Sequence, residues 1–301
     1  GKQVDTARIY SGGDCEAIVA RAVHGSTAVV LGSKAHPSQP GGLSTEGLRV
    51  QCDISLKALG VSTLPEYYFH QPDVEHELLA SLRMAHEMVK EGIIGKIGLS
   101  NYHASEVARC FDLCEQYGLT KPSVYQGLYN PLNRSVETEL LPLLRKHHCS
   151  FVAYNPLAAG LLTGKHSPAG DVPNGRFKDN PNYLPRFYTP TCFTALGPIA
   201  AACESSSLSM VDATYRWLLC HSALGTGDGI LIGASSLEQL DENLAACVSA
   251  QPLPDEVRSA IDAAWEVTQP DVFPYWRSYS KDMPGREDLP QGASYSTSKT
   301  K

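Results

Sequence analysis

Gln3-Val4-Asp5-Thr6, Val29-Val30-Leu31-Gly32 and Glu66-Tyr67-Tyr68-Phe69 are three short strand-like runs, and what stands at their ends decides the fold. Asp5 lies in the first run and Tyr10 just beyond it. Lys34 follows the second run and His70 the third. Successive strands therefore deliver an acid, a phenol, an amine and an imidazole to one rim. In a parallel α/β barrel the rim at the strand ends is where chemistry is done. The four residue types together suit a proton donor tuned for carbonyl reduction.

The tuning has a simple electrostatic basis. A tyrosine titrates near pKa ~10 and is a poor acid at neutral pH. An ammonium beside the phenol favours the phenolate. A carboxylate on the far side of the lysine keeps that ammonium charged and directed. A neutral histidine can orient a carbonyl toward the phenol. Such groups contribute roughly 10²–10⁴-fold, but none of them supplies an electron pair. A bound cofactor must do so, most simply a reduced nicotinamide.

Working outward, strand-like and helix-like segments alternate, the mark of a parallel sheet with crossover helices. Strands are expected at 3–7, 29–34, 66–70, 96–100, 123–128, 150–155 and 229–233. Helical periodicity falls at 14–24, 44–59, 75–91, 103–117, 136–148, 209–221 and 236–248, with an extra helix at 253–268. Gly60, Gly92 and Gly118 read as C-terminal caps. Seven strand–helix units are one short of a (β/α)₈ barrel. The expectation is thus an N-terminally incomplete barrel that lacks its first strand and helix, about 40 residues at the usual barrel length. Residues 1–283 form one domain on this reading, and the polar, Ser/Thr-rich stretch 284–301 is expected to be a disordered tail. The segment 164–190, rich in Pro, Asn, Gly and aromatic residues, is expected to be irregular and functional.

Composition narrows the function. The chain has 301 residues, of which 43% are hydrophobic and 19% charged, as in a globular protein with ample core. A net charge of −7 argues against nucleic acid or an anionic membrane as the partner. No apolar run approaches the ~18 residues of a membrane span. Nine cysteines, an odd number without a paired framework, fit reduced thiols and a cytoplasmic location. Absence of H-x-H, H-E-x-x-H and C-x-x-C spacing argues against a metal-dependent hydrolase. Gly160–Lys165 is one residue short of a phosphate loop, and His166 stands where Ser or Thr belongs. Gly225-Thr226-Gly227-Asp228-Gly229 imitates a dinucleotide fingerprint but precedes a strand instead of following one.

The motifs themselves resemble a known family. Val4-Asp5-Thr6-Ala7 with Tyr10, then Gly98-Leu99-Ser100-Asn101 and Tyr125-Gln126, are similar to signatures of the aldo-keto reductases. The segments Tyr154–Lys165 and Gly233–Leu240 resemble the aflatoxin-aldehyde and succinic-semialdehyde reductase branch. The likeness runs from about Val4 to Arg277. It implies a (β/α)₈ TIM barrel, NADPH as cofactor, and reduction of small-molecule aldehydes or ketones to alcohols. Tyr10 would be the proton donor, Lys34 its neighbour, Asp5 the partner of Lys34, and His70 the group that positions the carbonyl. Ser100, Asn101 and Gln126 would hold the nicotinamide carboxamide, and Tyr154 would stack on its ring. Asn155, Pro156, Leu157, Gly160, Leu161, Gly164 and Lys165 would wrap the pyrophosphate. Gly233, Ser235, Gln239 and Asn243 would hold the adenosine end, its 2′-phosphate near a helix start, where free N–H groups favour anions.

Arginine forks pair bidentately with carboxylates. Arg176, Tyr183 and Arg186 lie in the irregular segment, and Tyr275, Trp276 and Arg277 near the C-terminus. By the resemblance, Tyr183, Arg186 and Arg277 would hold the acidic end of a substrate such as succinic semialdehyde. The resemblance allows a homodimer. It also leaves a second reading, because some relatives bind NADPH as regulatory subunits of potassium channels. A cofactor-binding regulator or an inactive truncated paralogue is that alternative.

Overall fold

Alternation of apolar strands with capped amphipathic helices is realised in the computed structural model, which describes residues 3–24, 26, 28–168, 172 and 174–293. The chain forms two compact units. Of the described residues, those up to Gln126, Pro142–Ser150 and Trp276–Ala293 make one unit, and Gly127–Leu141 with those in Phe151–Tyr275 make the other. All seven expected strands occur among the described residues.

In the first unit, strands β1 (Gln3–Asp5), β2 (Val30–Ala35), β3 (Leu64–Phe69), β4 (Ile94–Ser100) and the start of β5 (Val124–Leu128) pair in sequence order, all parallel. Helices α1 (Cys15–Ala22), α2 (Thr45–Leu59), α3 (Leu78–Lys90) and α4 (Ala104–Tyr117) connect them. The local chemistry explains where these helices begin and end. Ser44 accepts from the Gly47 N–H at the start of α2, and Gly60, at φ 69°, closes it in the left-handed conformation. His103 and Gly118 do the same for α4. Helices α2, α3 and α4 each bury one stripe: Leu48, Cys52 and Leu59 on α2, Leu82, Ala85 and Met88 on α3, Val107, Cys110, Phe111 and Cys114 on α4.

The other face of this sheet is set by the period of two in strands. Gly32 and Lys34 on β2 alternate with the outward set, as do Glu66 and Tyr68 on β3 and Lys96, Gly98 and Ser100 on β4. Register places Lys34 opposite Tyr68 and Tyr68 opposite Gly98. The Tyr68 ring occupies the space above Gly98, where an added Cβ would stand 2.2 Å from a ring carbon. Gly98 is glycine for that reason, since no other residue leaves room for the ring.

In the second unit, β6 (Ser150–Tyr154) pairs in parallel with β7 (Gly229–Ile230). Helix α5 (Leu140–Lys146), whose residues from Pro142 on belong to the first unit, precedes β6 in the chain. The helices α6 (Leu184–Phe187), α7 (Pro190–Ser205), α8 (Met210–Cys220), α9 (Leu237–Val248) and α10 (Asp255–Thr268) follow it. Helix α7 is absent from the sequence expectation, for two reasons. Pro198 stands inside it and reads as a breaker. Its residues are apolar on more than one side, so no stripe marks it. Thr189, which caps it through the Cys192 N–H, and Pro190 at its first turn are the signals that were there to be used.

The segment expected as a tail divides in two. Residues 284–293 carry a 3₁₀ turn at Arg286–Asp288, and the Ala293 N–H donates to Trp276 O at 2.8 Å. Residues 294–301 lie outside the described residues. No helix among the described residues is long and apolar enough to cross a membrane.

Candidate active site

The site of the first unit is built around one buried ammonium. Lys34, at the end of β2, is fully buried. Its Nζ donates to Asp5 Oδ2 at the end of β1 and, at 2.9 Å, to the carbonyl of Thr6. The second oxygen of Asp5 accepts from Gln126 Nε2 on β5 at 3.0 Å. Lys34 Nζ also stands 5.2 Å from the centre of the Tyr10 ring. Burial pulls the ammonium toward neutrality, but Asp5 and then Tyr10, by charge and hydrogen bond, hold it above its ordinary value of 10.5. Lys34 therefore stays charged beside the Tyr10 phenol at any physiological pH.

His70 completes the group. Its ring meets that of Tyr10 edge-on, with centroids 5.6 Å apart. Burial first, then the charges of Lys34, His36 and Arg277, push its pKa well below 6.5, so the imidazole is neutral. Its Nδ1 is buried and has no hydrogen-bond partner among the described residues. The backbone at His70 is fixed by Asn101, whose Nδ2 donates to His70 O at 2.8 Å and to Ser100 Oγ at 2.9 Å. Asn101 adopts φ 62°, a conformation that asparagine accepts more readily than most residues. The four residues nominated from the sequence are thus brought together, and Ser100, Asn101 and Gln126 lie with them.

Arg277 reaches the same unit through the C-terminal segment. Its N–H donates to Asn101 O at 3.0 Å, and farther along Ser280 N–H donates to the buried Glu106 Oε1 at 2.8 Å. Arg109 and the Leu78 N–H hold Asp282.

One residue of this cluster was not nominated from the sequence. His36, two residues beyond Lys34 and so on the same side of β2, packs edge-on against His70 with centroids 5.1 Å apart. Its Nδ1 accepts from the Ser38 N–H at 3.1 Å, which leaves the ring proton on Nε2. Burial, then Arg277, lowers its pKa to about 4, against its hydrogen bond to Gln71 and the charge of Asp73. The period of two, applied past the strand's end, was the signal. The consequence is measurable. Unfolded, His36 takes up a proton near pH 6.5, but folded it does so only near pH 4. The unfolded chain thus binds more protons in that window, and stability falls as the pH falls through it. His36→Asn is expected to remove about 3 kcal/mol of that acid loss, read as urea midpoints at pH 7 and pH 4. An unchanged difference between the two pH values would place the acid lability elsewhere.

In the second unit the nominated residues form two sets. After β6, Asn155 has φ 52°, and Ala158, Ala159 and Gly160 continue at 49°, 58° and 106°. Left-handed turns of this kind aim backbone N–H groups into anion-binding concavities, and for Ala they cost about 1–3 kcal/mol each. Asn130 Nδ2 donates to Asn155 O at 3.0 Å and steadies the entry. The exposed start of α9 forms the other set. Ser235 donates to Gln239 Oε1 from both N–H and Oγ, at 3.0 and 2.8 Å, and Asn243 Nδ2 donates to Gly233 O at 3.3 Å. A left-handed turn and a helix start are both suited in chemistry to an anion such as a phosphate. Arg186 is buried, its guanidinium 4.8 Å from the Phe273 ring and 5.4 Å from that of Tyr183. Burial lowers its pKa, against support from Tyr154 and Tyr183.

A model of the Aldo/keto reductase family matches residues 1–266. The chain belongs to the aldo/keto reductase family. Among relatives in this family, human aldo-keto reductase family 7 member A3 is 38% identical over 291 residues, covering 91% of this chain and 88% of that protein. Rat aflatoxin B1 aldehyde reductase member 2 is also 38% identical, over 91% of this chain and 79% of its own length. A solved aldo/keto reductase from Klebsiella pneumoniae, in complex with NADP and acetate, superposes with a TM-score of 0.66 at 23% identity. It covers 88% of this chain and 80% of that one. The fold is therefore the α/β barrel type of the aldo/keto reductases, and this family member is an oxidoreductase.

Proposed function

We propose that this chain reduces aldehydes, carboxylate-bearing ones included, to alcohols, with NADPH as the source of the electron pair and Tyr10 as the proton donor. The observation that carries the reading is the buried Lys34 ammonium, held by Asp5 and facing the Tyr10 phenol beside a neutral His70. When bound, NADPH would supply a hydride to the carbonyl carbon. Everything else falls to the chain. The neutral His70 N–H can donate to the carbonyl oxygen and direct it toward Tyr10. The Tyr10 hydroxyl gives its proton to that oxygen, and Lys34 stabilises the phenolate left behind until solvent reprotonates it. Ser100, Asn101 and Gln126 would hold the nicotinamide amide. The turn 155–165, with Tyr154 before it, and Gly233, Ser235, Gln239 and Asn243 would hold the rest of the cofactor.

The carboxylate preference rests on Arg277, whose charge reaches both His36 and His70. Loss of reduced-nicotinamide absorbance with succinic semialdehyde and with nitrobenzaldehyde tests the whole reading. Arg277→Ala is expected to raise KM for succinic semialdehyde roughly tenfold or more, the loss of one charge-assisted pair, and to spare nitrobenzaldehyde. Equal effects on the two would remove the carboxylate preference. No oxidation of NADPH with either substrate would remove the reductase itself.

A further inference from the structure

Lys34 has a second aromatic neighbour that the mechanism above does not use. The Tyr68 ring lies beneath the ammonium, with Lys34 Nζ 5.5 Å from its centre, so the cation sits between two phenol faces. A cation within about 6 Å of an aromatic face is attracted by the ring's quadrupole, most strongly where water is excluded. Both conditions hold, for Lys34 is fully buried and Tyr68 is 1% exposed. The ring is also electronically prepared. Its hydroxyl donates to Glu66 Oε2 at 2.7 Å, and a phenol that donates to a carboxylate carries more electron density on its face. Glu66 is anchored in turn by Gln3 Nε2 at 2.6 Å and Lys96 Nζ at 3.3 Å. The orientation of the ring is fixed by register, since it stands opposite Lys34 on one side and over Gly98 on the other.

We propose that Tyr68 is a positioning residue for Lys34: its ring face, polarised through Glu66, is a floor that holds the ammonium against Asp5 and Tyr10. The inference rests on the reductase reading for its effect on turnover, but the contact itself does not. Asp5 and Thr6 O hold Lys34 from one side by hydrogen bonds. The Tyr68 ring adds a cation–π contact to the same ammonium, and without it the flexible lysine chain has room to withdraw from Tyr10.

Fluorination tests this without changing shape. Tyr68→Phe keeps the ring and leaves Glu66 its other partners. From that baseline, phenylalanines bearing one, two and three ring fluorines are placed at position 68, each step weakening the negative face. In protein carrying ¹⁵N-lysine, exchange of the Lys34 ammonium protons with solvent is expected to accelerate stepwise, by roughly tenfold to thirtyfold across the series. The aldehyde kcat is expected to fall in parallel with KM unchanged. A ring that merely filled space would give a flat series in both, and that result overturns the proposal. Faster exchange in a protein that turns over no aldehyde keeps the floor beneath Lys34 and removes the reductase reading instead.

Discussion

Tyr10→Phe is expected to lower aldehyde turnover about 10²- to 10⁴-fold, the range for losing a positioned general acid. Only one oxygen is removed. The ring edge against His70 and the ring face near Lys34 both remain, so melting temperature and NADPH binding should stay close to wild type. The loss should appear in kcat, because the proton is needed in the transition state and not for binding. Adding Lys34→Met to Tyr10→Phe should cost little further activity, since the lysine acts through the phenol that is already gone. Kinetics of the single and double variants with nitrobenzaldehyde check both statements. Turnover preserved in Tyr10→Phe would mean that another group delivers the proton.

Lys34→Met carries the largest expected loss of stability, about 3–5 kcal/mol. Methionine fills much the same space, so packing contributes little. The cost comes from Asp5, whose side chain is only 11% exposed and would keep the Gln126 amide as a donor but lose the ammonium. A buried charge stripped of its partner is far more costly than a pair removed whole. The double change Asp5→Asn/Lys34→Met should therefore recover most of the stability lost in Lys34→Met. Urea unfolding of the two single variants and the double closes the cycle. If the double variant were as unstable as Lys34→Met alone, the lysine would be acting through its packing.

What was legible in the sequence follows from what local chemistry encodes. Helical periodicity and the terminal glycines Gly60 and Gly118 marked α2 and α4 to within a residue. Strand-end positions gathered Asp5, Tyr10, Lys34 and His70, because parallel strands with crossover helices put all such ends on one side. Less legible were features that depend on a neighbour. Tyr68 reads as an ordinary core aromatic until the register shows Lys34 on one flank and Gly98 on the other. His36 lies past the strand's last residue, where alternation is usually no longer counted. Asn101 and Gln126 were nominated for the cofactor, yet here they also tie His70 and Asp5 into the group. Helix α7 was hidden by Pro198 and by apolar residues on too many of its sides.

The nesting of Tyr68 over Gly98 bears on how this sequence can drift. A methyl group at position 98 collides with the ring, and a smaller residue at 68 leaves a hole beneath Lys34. Neither position can change first without harm, so the two are inherited as one epistatic block that includes the lysine above them. Descendants of this gene that alter one of these sites while remaining active should have altered the other as well.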